Sequence, residues 1–239
     1  MSDPDVPASL YAIAAATDRL LTTARRLDDA AVAGPSLLPG WNRAMVLTHL
    51  ARNADGVTGM LSGARRRRVV HMYPQGREGR NADIAAGRDR PAGEVAADVA
   101  AASGALAEAC ALMTPEDWQA PGEAWAGQIP VWAMLVARRR EVEVHHSDLG
   151  CGYGPDRWPA DFVAAELDRA VADLPRRLPP GTALRLVDSD GPGQWEAEAP
   201  DAAPRNQPHV VSAPAPQLLA WLLGRPSDVT NPPLLGSWQ

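Results

Sequence analysis

The distribution of proline constrains the fold of this chain more than any other feature of its sequence. The 239 residues contain 23 prolines, and 14 of these lie after residue 151. Proline lacks a backbone hydrogen-bond donor and clashes with the preceding helical turn, so long helices are excluded where prolines are dense. Residues 1–151 can form long helices, whereas residues 152–239 must fold through shorter elements. We therefore predict two domains with these boundaries.

The first part carries apolar side chains at helical spacing, interrupted by proline and glycine turn signals. In one such stretch Val46, Leu50, Val57 and Leu61 fall on a single helix face. The pattern predicts four long helices, over residues 7–32, 42–63, 91–113 and 128–149. Because their connections are short or of medium length, they predict an antiparallel four-helix bundle.

The second part shows shorter and mixed patterns. It predicts helices over residues 161–174 and 216–223 and strands over residues 183–188, 194–199 and 209–213. Short strands mixed with short helices are typical of a small α+β domain. The expected fold class is mostly α, with a small α+β C-terminal domain.

Charge and cysteine content exclude several classes of protein. The chain has 29 acidic and 23 basic residues, a net charge of −6, which argues against a general nucleic-acid binder. No apolar run approaches the ~20 residues that span a bilayer, and the N-terminus has no secretory pattern. Cys110 and Cys151 cannot make a disulfide framework. We expect a cytoplasmic protein that binds neither membrane nor nucleic acid.

The segment from Arg65 to Arg90 reverses this overall charge. It holds eight arginines and three acidic residues, a net charge of +5, so the rest of the chain carries −11. One interpretation is a solvated loop with short helical pieces. The other is a pocket entrance that attracts an anionic small molecule.

Three residues could form a metal site inside the predicted bundle, because facing helices commonly hold metals through histidine and carboxylate. Glu141 and His145 are four residues apart and share one helix face, and Asp148 can reach that face as an outer partner. His49 lies toward the buried side of the second predicted helix. One carboxylate and two imidazoles suit a zinc-like cation with one position open. Spacing alone also fits a surface Glu–His pair and a buried core histidine.

Several segments, in order along the chain, resemble one family. Residues 38–55 and 139–150 are similar to the two signatures of the mycothiol-dependent maleylpyruvate isomerase family, within the DinB-like metal-binding bundles. His71-Met-Tyr-Pro and residues 79–84 resemble the stretch between these signatures. Residues 210–212 and 223–228 resemble the C-terminal domain of the family.

The resemblance implies a fold, a site and a reaction. The fold is a metal-binding four-helix bundle over residues 1–151, with the site covered by residues 152–239. The metal ligands of the family fall on His49, Glu141 and His145. Its catalytic, substrate-binding arginines, which belong to an anion-binding pocket, fall on Arg80 and Arg225. The reaction is the cis-to-trans isomerisation of maleylpyruvate to fumarylpyruvate in gentisate breakdown. Its cofactors are a divalent metal, with zinc expected, and the thiol mycothiol. The thiol adds to the double bond of the substrate and leaves again.

Other functions fit the same residues. A mycothiol-dependent S-transferase acting on other electrophiles would have the same metal ligands and a different pocket. A metal-dependent binding or regulatory protein would need no turnover, and a helical structural protein would need no metal. The Arg65–Arg68 run departs from the family motifs, and its role is not set by the resemblance.

Overall fold

The chain is described by a computed structural model that covers residues 5–125, 127–202 and 207–236. It divides into two compact units, Met1–Gly152 and Tyr153–Gln239. The helices of the first unit are α1 (Val6–Ala24), α2 (Asp29–Ala33), α3 (Arg43–Arg65), α4 (Gly76–Ala86), α5 (Ala92–Ala111), α6 (Pro115–Gln119) and α7 (Ala133–Asp148). Its strands are β1 (Pro121–Ala124) and β2 (Gly127–Pro130).

The four long helices of the first unit form a bundle. Helix α3 packs against α5 and α7, and α1 packs against α7 and α5, so the order around the bundle is α1–α7–α3–α5. Helix α3 is the most buried of the four, because α2, α4, α6 and β1 pack on it in addition to α5 and α7. Fully buried leucines from three of the helices, Leu20, Leu47, Leu50 and Leu135, contribute to one continuous core.

The stretch predicted as a single helix over residues 7–32 forms two helices. Helix α1 ends at Ala24, and the Asp28 side chain accepts a hydrogen bond from the backbone nitrogen of Ala31 at 2.8 Å. A carboxylate that accepts a hydrogen bond in this way caps a new helix at its N-terminus. The apolar spacing continues across the break, so periodicity alone did not reveal it.

Residues 121–130 also differ from the prediction. The fourth helix was expected from residue 128, but β1 and β2 pair antiparallel there and α7 begins at Ala133. Gly127 has φ +105°, a left-handed conformation that glycine adopts without strain, and this lets the chain turn back on itself. The arginine-rich segment was expected to be mostly loop, yet it contains the eleven-residue helix α4, of which only Ile84 is buried.

The second unit is a small α+β fold. Its elements are helices α8 (Ala160–Asp173) and α9 (Ala215–Leu222) and strands β3 (Ala183–Asp188), β4 (Gln194–Glu198) and β5 (His209–Ala213). Strand β3 lies in the centre, antiparallel to β4 and parallel to β5. Its residues Leu184 and Leu186 are buried, while Arg185 between them is exposed and pairs with Glu196. The alternation is that of a sheet with one covered face.

These observations confirm the expected fold class, a helical bundle followed by a small α+β part. In the described part of the chain, no helix combines the length and the apolar character needed to cross a membrane.

Candidate metal centre

Helix α3 places His49 in the interior of the bundle. The helix starts at Asn42, whose side-chain oxygen accepts from the backbone nitrogen of Met45 at 3.0 Å and whose amide donates to the carbonyl of Arg88 at 2.7 Å. His49 follows two turns later and is only 2 % exposed. A buried imidazole needs polar partners to compensate the loss of water.

Helix α7 supplies these partners through residues one turn apart. The His49 Nε2 lies 2.7 Å from Glu141 Oε2, and the same oxygen lies 3.5 Å from His145 Nε2. The two imidazole rings are perpendicular, with centroids 4.6 Å apart. One ligand atom from each of the three residues lies within 4.8 Å of the others. The structure thus brings together the three residues that the sequence indicated as metal ligands.

The donor set fits a zinc-like cation. Two imidazole nitrogens and one carboxylate oxygen are the ligands of many three-residue zinc sites that keep one position open. Asp148 Oδ2 lies 2.8 Å from His145 Nδ1 and is fully buried. A carboxylate on the second nitrogen of a histidine fixes the ring and is the common outer partner of a metal-ligating imidazole.

The ionisation of the three residues is strongly coupled. Burial lowers the pKa of His49 to about 4 against the opposing effect of Glu141. Burial acts in the same direction on His145, but hydrogen bonds to Asp148 and Glu141 outweigh it and raise its pKa to about 9. Burial would raise the pKa of Glu141, yet His49 and His145 hold it well below its usual range. At neutral pH Glu141 is therefore an anion between one neutral and one cationic imidazole.

Arg80 belongs to the same site. It comes from α4, and its Nη2 donates to His49 Nδ1 at 3.1 Å. Because a guanidinium only donates, His49 Nδ1 is the acceptor, and the proton of the neutral ring lies on Nε2 and is donated to Glu141. The guanidinium carbon of Arg80 lies 5.6 Å from the centroid of the Tyr73 ring, within cation–π distance.

Tyr73 also lies at this site, although the sequence did not indicate it as a site residue. Its hydroxyl interacts with Arg80 and Asn53, which favour ionisation, but burial and the charge of Glu141 outweigh them and raise its pKa. Its ring stacks on Trp125, with centroids 5.5 Å apart. The one sequence feature that could have indicated Tyr73 is its position in His71-Met-Tyr-Pro, a segment that resembles the family.

The remaining sequence candidates have different positions. Arg225 lies in the second unit, just after α9, where its Nη1 donates to the carbonyl of Leu223 at 2.7 Å. Arg65 is the last residue of α3 and Arg66–Arg68 follow it, all of them exposed, and Arg67 Nη2 lies 3.5 Å from Asp117 Oδ1 of α6. A basic residue in the last turn of a helix, as Arg65 is here, interacts favourably with the helix dipole.

Of the two cysteines, Cys110 is a poor nucleophile in this fold. Cys110 is 7 % exposed, and burial raises its pKa to about 11. The Cys151 thiol donates to the carbonyl of Leu149 at 3.3 Å. A thiolate is the reactive form of cysteine, so a buried thiol with a raised pKa is inert at neutral pH.

Comparisons with known proteins bear on the fold and the family of this chain. Two crystal structures share the fold, one of a mycothiol-dependent maleylpyruvate isomerase and one of a histidine-to-alanine mutant described by the same name. Each is 23 % identical to this chain, with a TM-score of 0.87 and 100 % coverage of both chains. The comparison with curated proteins gave no match. The family described as "Mycothiol maleylpyruvate isomerase N-terminal domain" matches residues 13–150, which include His49, Glu141 and His145. Since this match spans more than half of the chain, the protein belongs to the mycothiol maleylpyruvate isomerase N-terminal domain family.

Proposed function

We propose that this chain isomerises maleylpyruvate to fumarylpyruvate, as a step of gentisate breakdown. The reaction requires mycothiol and a divalent cation, for which zinc is our first choice. The observation that carries the proposal is the cluster of His49, Glu141 and His145, with Arg80 bonded to one of its histidines. The cluster lies within the residues that match the family. The related crystal structures are named for this activity.

The triad and Asp148 have distinct tasks in the proposed site. His49, Glu141 and His145 would hold the cation, and Asp148 keeps the His145 ring oriented through its Nδ1. When bound, the cation would keep a thiol sulfur deprotonated at neutral pH, so that the thiol can add reversibly to the double bond and let it turn as a single bond. We assign the thiol to mycothiol from outside the chain, because Cys110 is buried and protonated at neutral pH and the family is named for its dependence on mycothiol.

The arginines would bind the carboxylates of the substrate. Maleylpyruvate is a dicarboxylate, and a guanidinium offers a planar, permanently charged fork for each carboxylate. Arg80 lies next to His49 and is the candidate for one of them. The role of Arg225 for the other carboxylate follows from the family resemblance. A reduced thiol cofactor fits a cytoplasmic location.

Turnover measured in the ultraviolet tests the proposal. Metal-free protein is mixed with zinc, mycothiol and maleylpyruvate, and formation of the trans product is followed by absorption. We expect turnover only when zinc and thiol are both present. His49→Ala should lose bound zinc and turnover together, whereas His209→Ala, an exposed histidine of the second unit, should retain both.

Two other outcomes would redirect the assignment. Full turnover by metal-free His49→Ala would refute the metal centre. Binding of zinc and thiol without isomerisation would favour a transferase or a binding protein on the same scaffold.

A further inference from the structure

A second cavity lies in the first unit, between α1 and α5. Its volume is about 440 Å³, within the range of small-molecule sites, and its lining is mostly apolar. Its apolar wall includes Leu10, Ile13 and Leu21 of α1, Leu106 of α5, and Leu135 of α7. His49, Glu141 and His145 are not among the described residues that line it. The cavity is therefore separate from the candidate metal centre.

The cavity contains one buried charge, the guanidinium of Arg138. This residue of α7 is 1 % exposed. Its Nη1 donates to the carbonyl of Leu50 at 2.9 Å and to Asn53 Oδ1 at 2.8 Å. In the described part of the chain its Nε has no hydrogen-bond partner, and its Nη2 has only a 3.5 Å contact with Ser103 Oγ.

No carboxylate in residues 5–125, 127–202 or 207–236 lies within ion-pair distance of this guanidinium. Burial lowers the pKa of Arg138 to about 10, against the longer-range effects of Glu141, Tyr73 and Asp55, so the group stays charged at neutral pH. A buried charge without a paired anion is costly unless something else compensates it.

The geometry of the guanidinium shows what could compensate it. Its Nε–H and Nη2–H lie on the same edge and point in parallel, which is the arrangement that binds a carboxylate through two hydrogen bonds. Ser103, the contact of Nη2, lines the cavity together with Arg138, so this edge lies in the cavity wall behind Ser103. Both donors of the edge are thus poorly satisfied by the protein itself.

We propose that this cavity binds a hydrophobic anion of the medium-chain carboxylate class. The carboxylate pairs with Nε and Nη2 of Arg138, and the hydrocarbon tail lies among the apolar side chains of α1 and α5. Asp18 stands exposed at the rim of the cavity and disfavours the opposite orientation, with the carboxylate at the mouth. The inner end of the cavity is cationic and its body apolar, which complements a carboxylate with an alkyl chain.

Octanoate and octan-1-ol are the probes for this site, because they share a tail and differ in charge. In calorimetric titrations of the full chain, octanoate should bind at least tenfold more tightly than octan-1-ol. Equal affinities, or no octanoate binding, would overturn the proposal.

Two glycines of α5 provide matched variants. A side chain at Gly104, which lines the cavity, or at Gly93, which does not, would meet no atom within 4 Å. Gly104→Trp places an indole across the mouth and should abolish octanoate binding, whereas Gly93→Trp should leave it unchanged. Both should unfold at a temperature no lower than the parent, because glycine is unfavourable inside a helix. Unchanged octanoate affinity in Gly104→Trp would contradict the assigned location.

Arg138→Met tests the charge directly in a variant that retains a similar volume. It should bind octanoate no more tightly than octan-1-ol, and retained discrimination would show that Arg138 is not the partner. If this variant does not fold, the comparison of the two glycine variants still decides the location, and the comparison of the two probes on the parent decides the charge.

Discussion

At the scale of single residues, the Glu141 carboxylate connects helices α3 and α7. It lies between imidazoles from both helices, and the outer nitrogen of each imidazole has its own partner, Arg80 for His49 and Asp148 for His145. The His145 ring is thus oriented before any cation binds, whereas a cation on His49 Nε2 would move the ring proton to Nδ1 and break the hydrogen bond from Arg80. Pre-oriented ligands reduce the ordering cost of binding.

Replacing Asp148 with asparagine tests this orientation. The amide keeps the size of the side chain but removes its negative charge, so we expect zinc affinity to fall by about 10–100-fold with the fold retained. Zinc competition with a chromophoric chelator measures the affinity. Asp190→Asn, at an exposed position of the second unit, is the control and should bind zinc like the parent. An unchanged affinity in Asp148→Asn would show that the contact with His145 is not used.

The buried thiol of Cys110 predicts a loss of stability at alkaline pH. Its pKa rises from 9.0 to about 11 in the folded chain because of burial. Below pH 9 the thiol is protonated in both states, and its contribution to stability is complete. Between pH 9 and 11 only the unfolded chain loses the proton, so the free energy of unfolding should fall there by about 1–3 kcal/mol.

Urea unfolding of the parent and of Cys110→Ala at several pH values measures this effect. The difference between their free energies of unfolding should shrink as pH rises from 9 to 11. A difference that does not change with pH would mean that the folded thiol titrates normally.

At the scale of secondary-structure elements, the docking of α4 on α3 positions Arg80 beside His49. Gly87, at the end of α4, allows this close approach because a Cβ there would overlap the side chain of Thr48. Thr48 is buried and precedes His49 on α3. Its β-branched side chain has little freedom to move away.

Gly87→Ala should therefore destabilise the chain by about 1–3 kcal/mol through overpacking. Gly93→Ala, also at a glycine but with open space around it, should instead stabilise the chain by about 0.5–1 kcal/mol. Urea unfolding of both variants gives the two values. Equal and small effects would show that α4 does not pack tightly on α3.

The elements that sequence reasoning predicted well are those with local signals. Helix α3 was placed within two residues because proline and glycine precede it and its apolar side chains keep helical spacing, and β3 and β5 were placed at their observed ends because turn residues bound them. Helix α4 was not delimited, because eleven residues with four charges, two glycines and one buried apolar side chain, Ile84, resemble a solvated loop with short helical pieces.

The site shows the same division between local and tertiary information. Glu141 and His145 could be paired by spacing, and His49 could be added from its place on an apolar helix. Tyr73 could not be predicted, because its position at the site depends on the loop before α4. In that loop His71 forms a β-bridge with Glu123. That contact joins residues distant in sequence, and no local pattern encodes it.

At the scale of the whole molecule, the family match covers the first unit, and the proposed substrate contacts involve both. Arg80 lies in the first unit and Arg225 in the second. We expect Arg80→Ala and Arg225→Ala to raise the KM for maleylpyruvate at least tenfold while zinc remains bound, because each removes one carboxylate partner. Steady-state kinetics and metal analysis of each variant check this. Loss of zinc or of the fold would assign that arginine a structural role.

The central claim is that His49, Glu141 and His145 hold one cation on which thiol-dependent isomerisation depends. The most direct test titrates zinc into metal-free protein with excess mycothiol and maleylpyruvate and records the initial rate of fumarylpyruvate formation. The account predicts a rate that starts at zero, rises in proportion to zinc and stops rising at one equivalent per chain. A full rate in the absence of zinc, or no rate after one equivalent has bound, would contradict it.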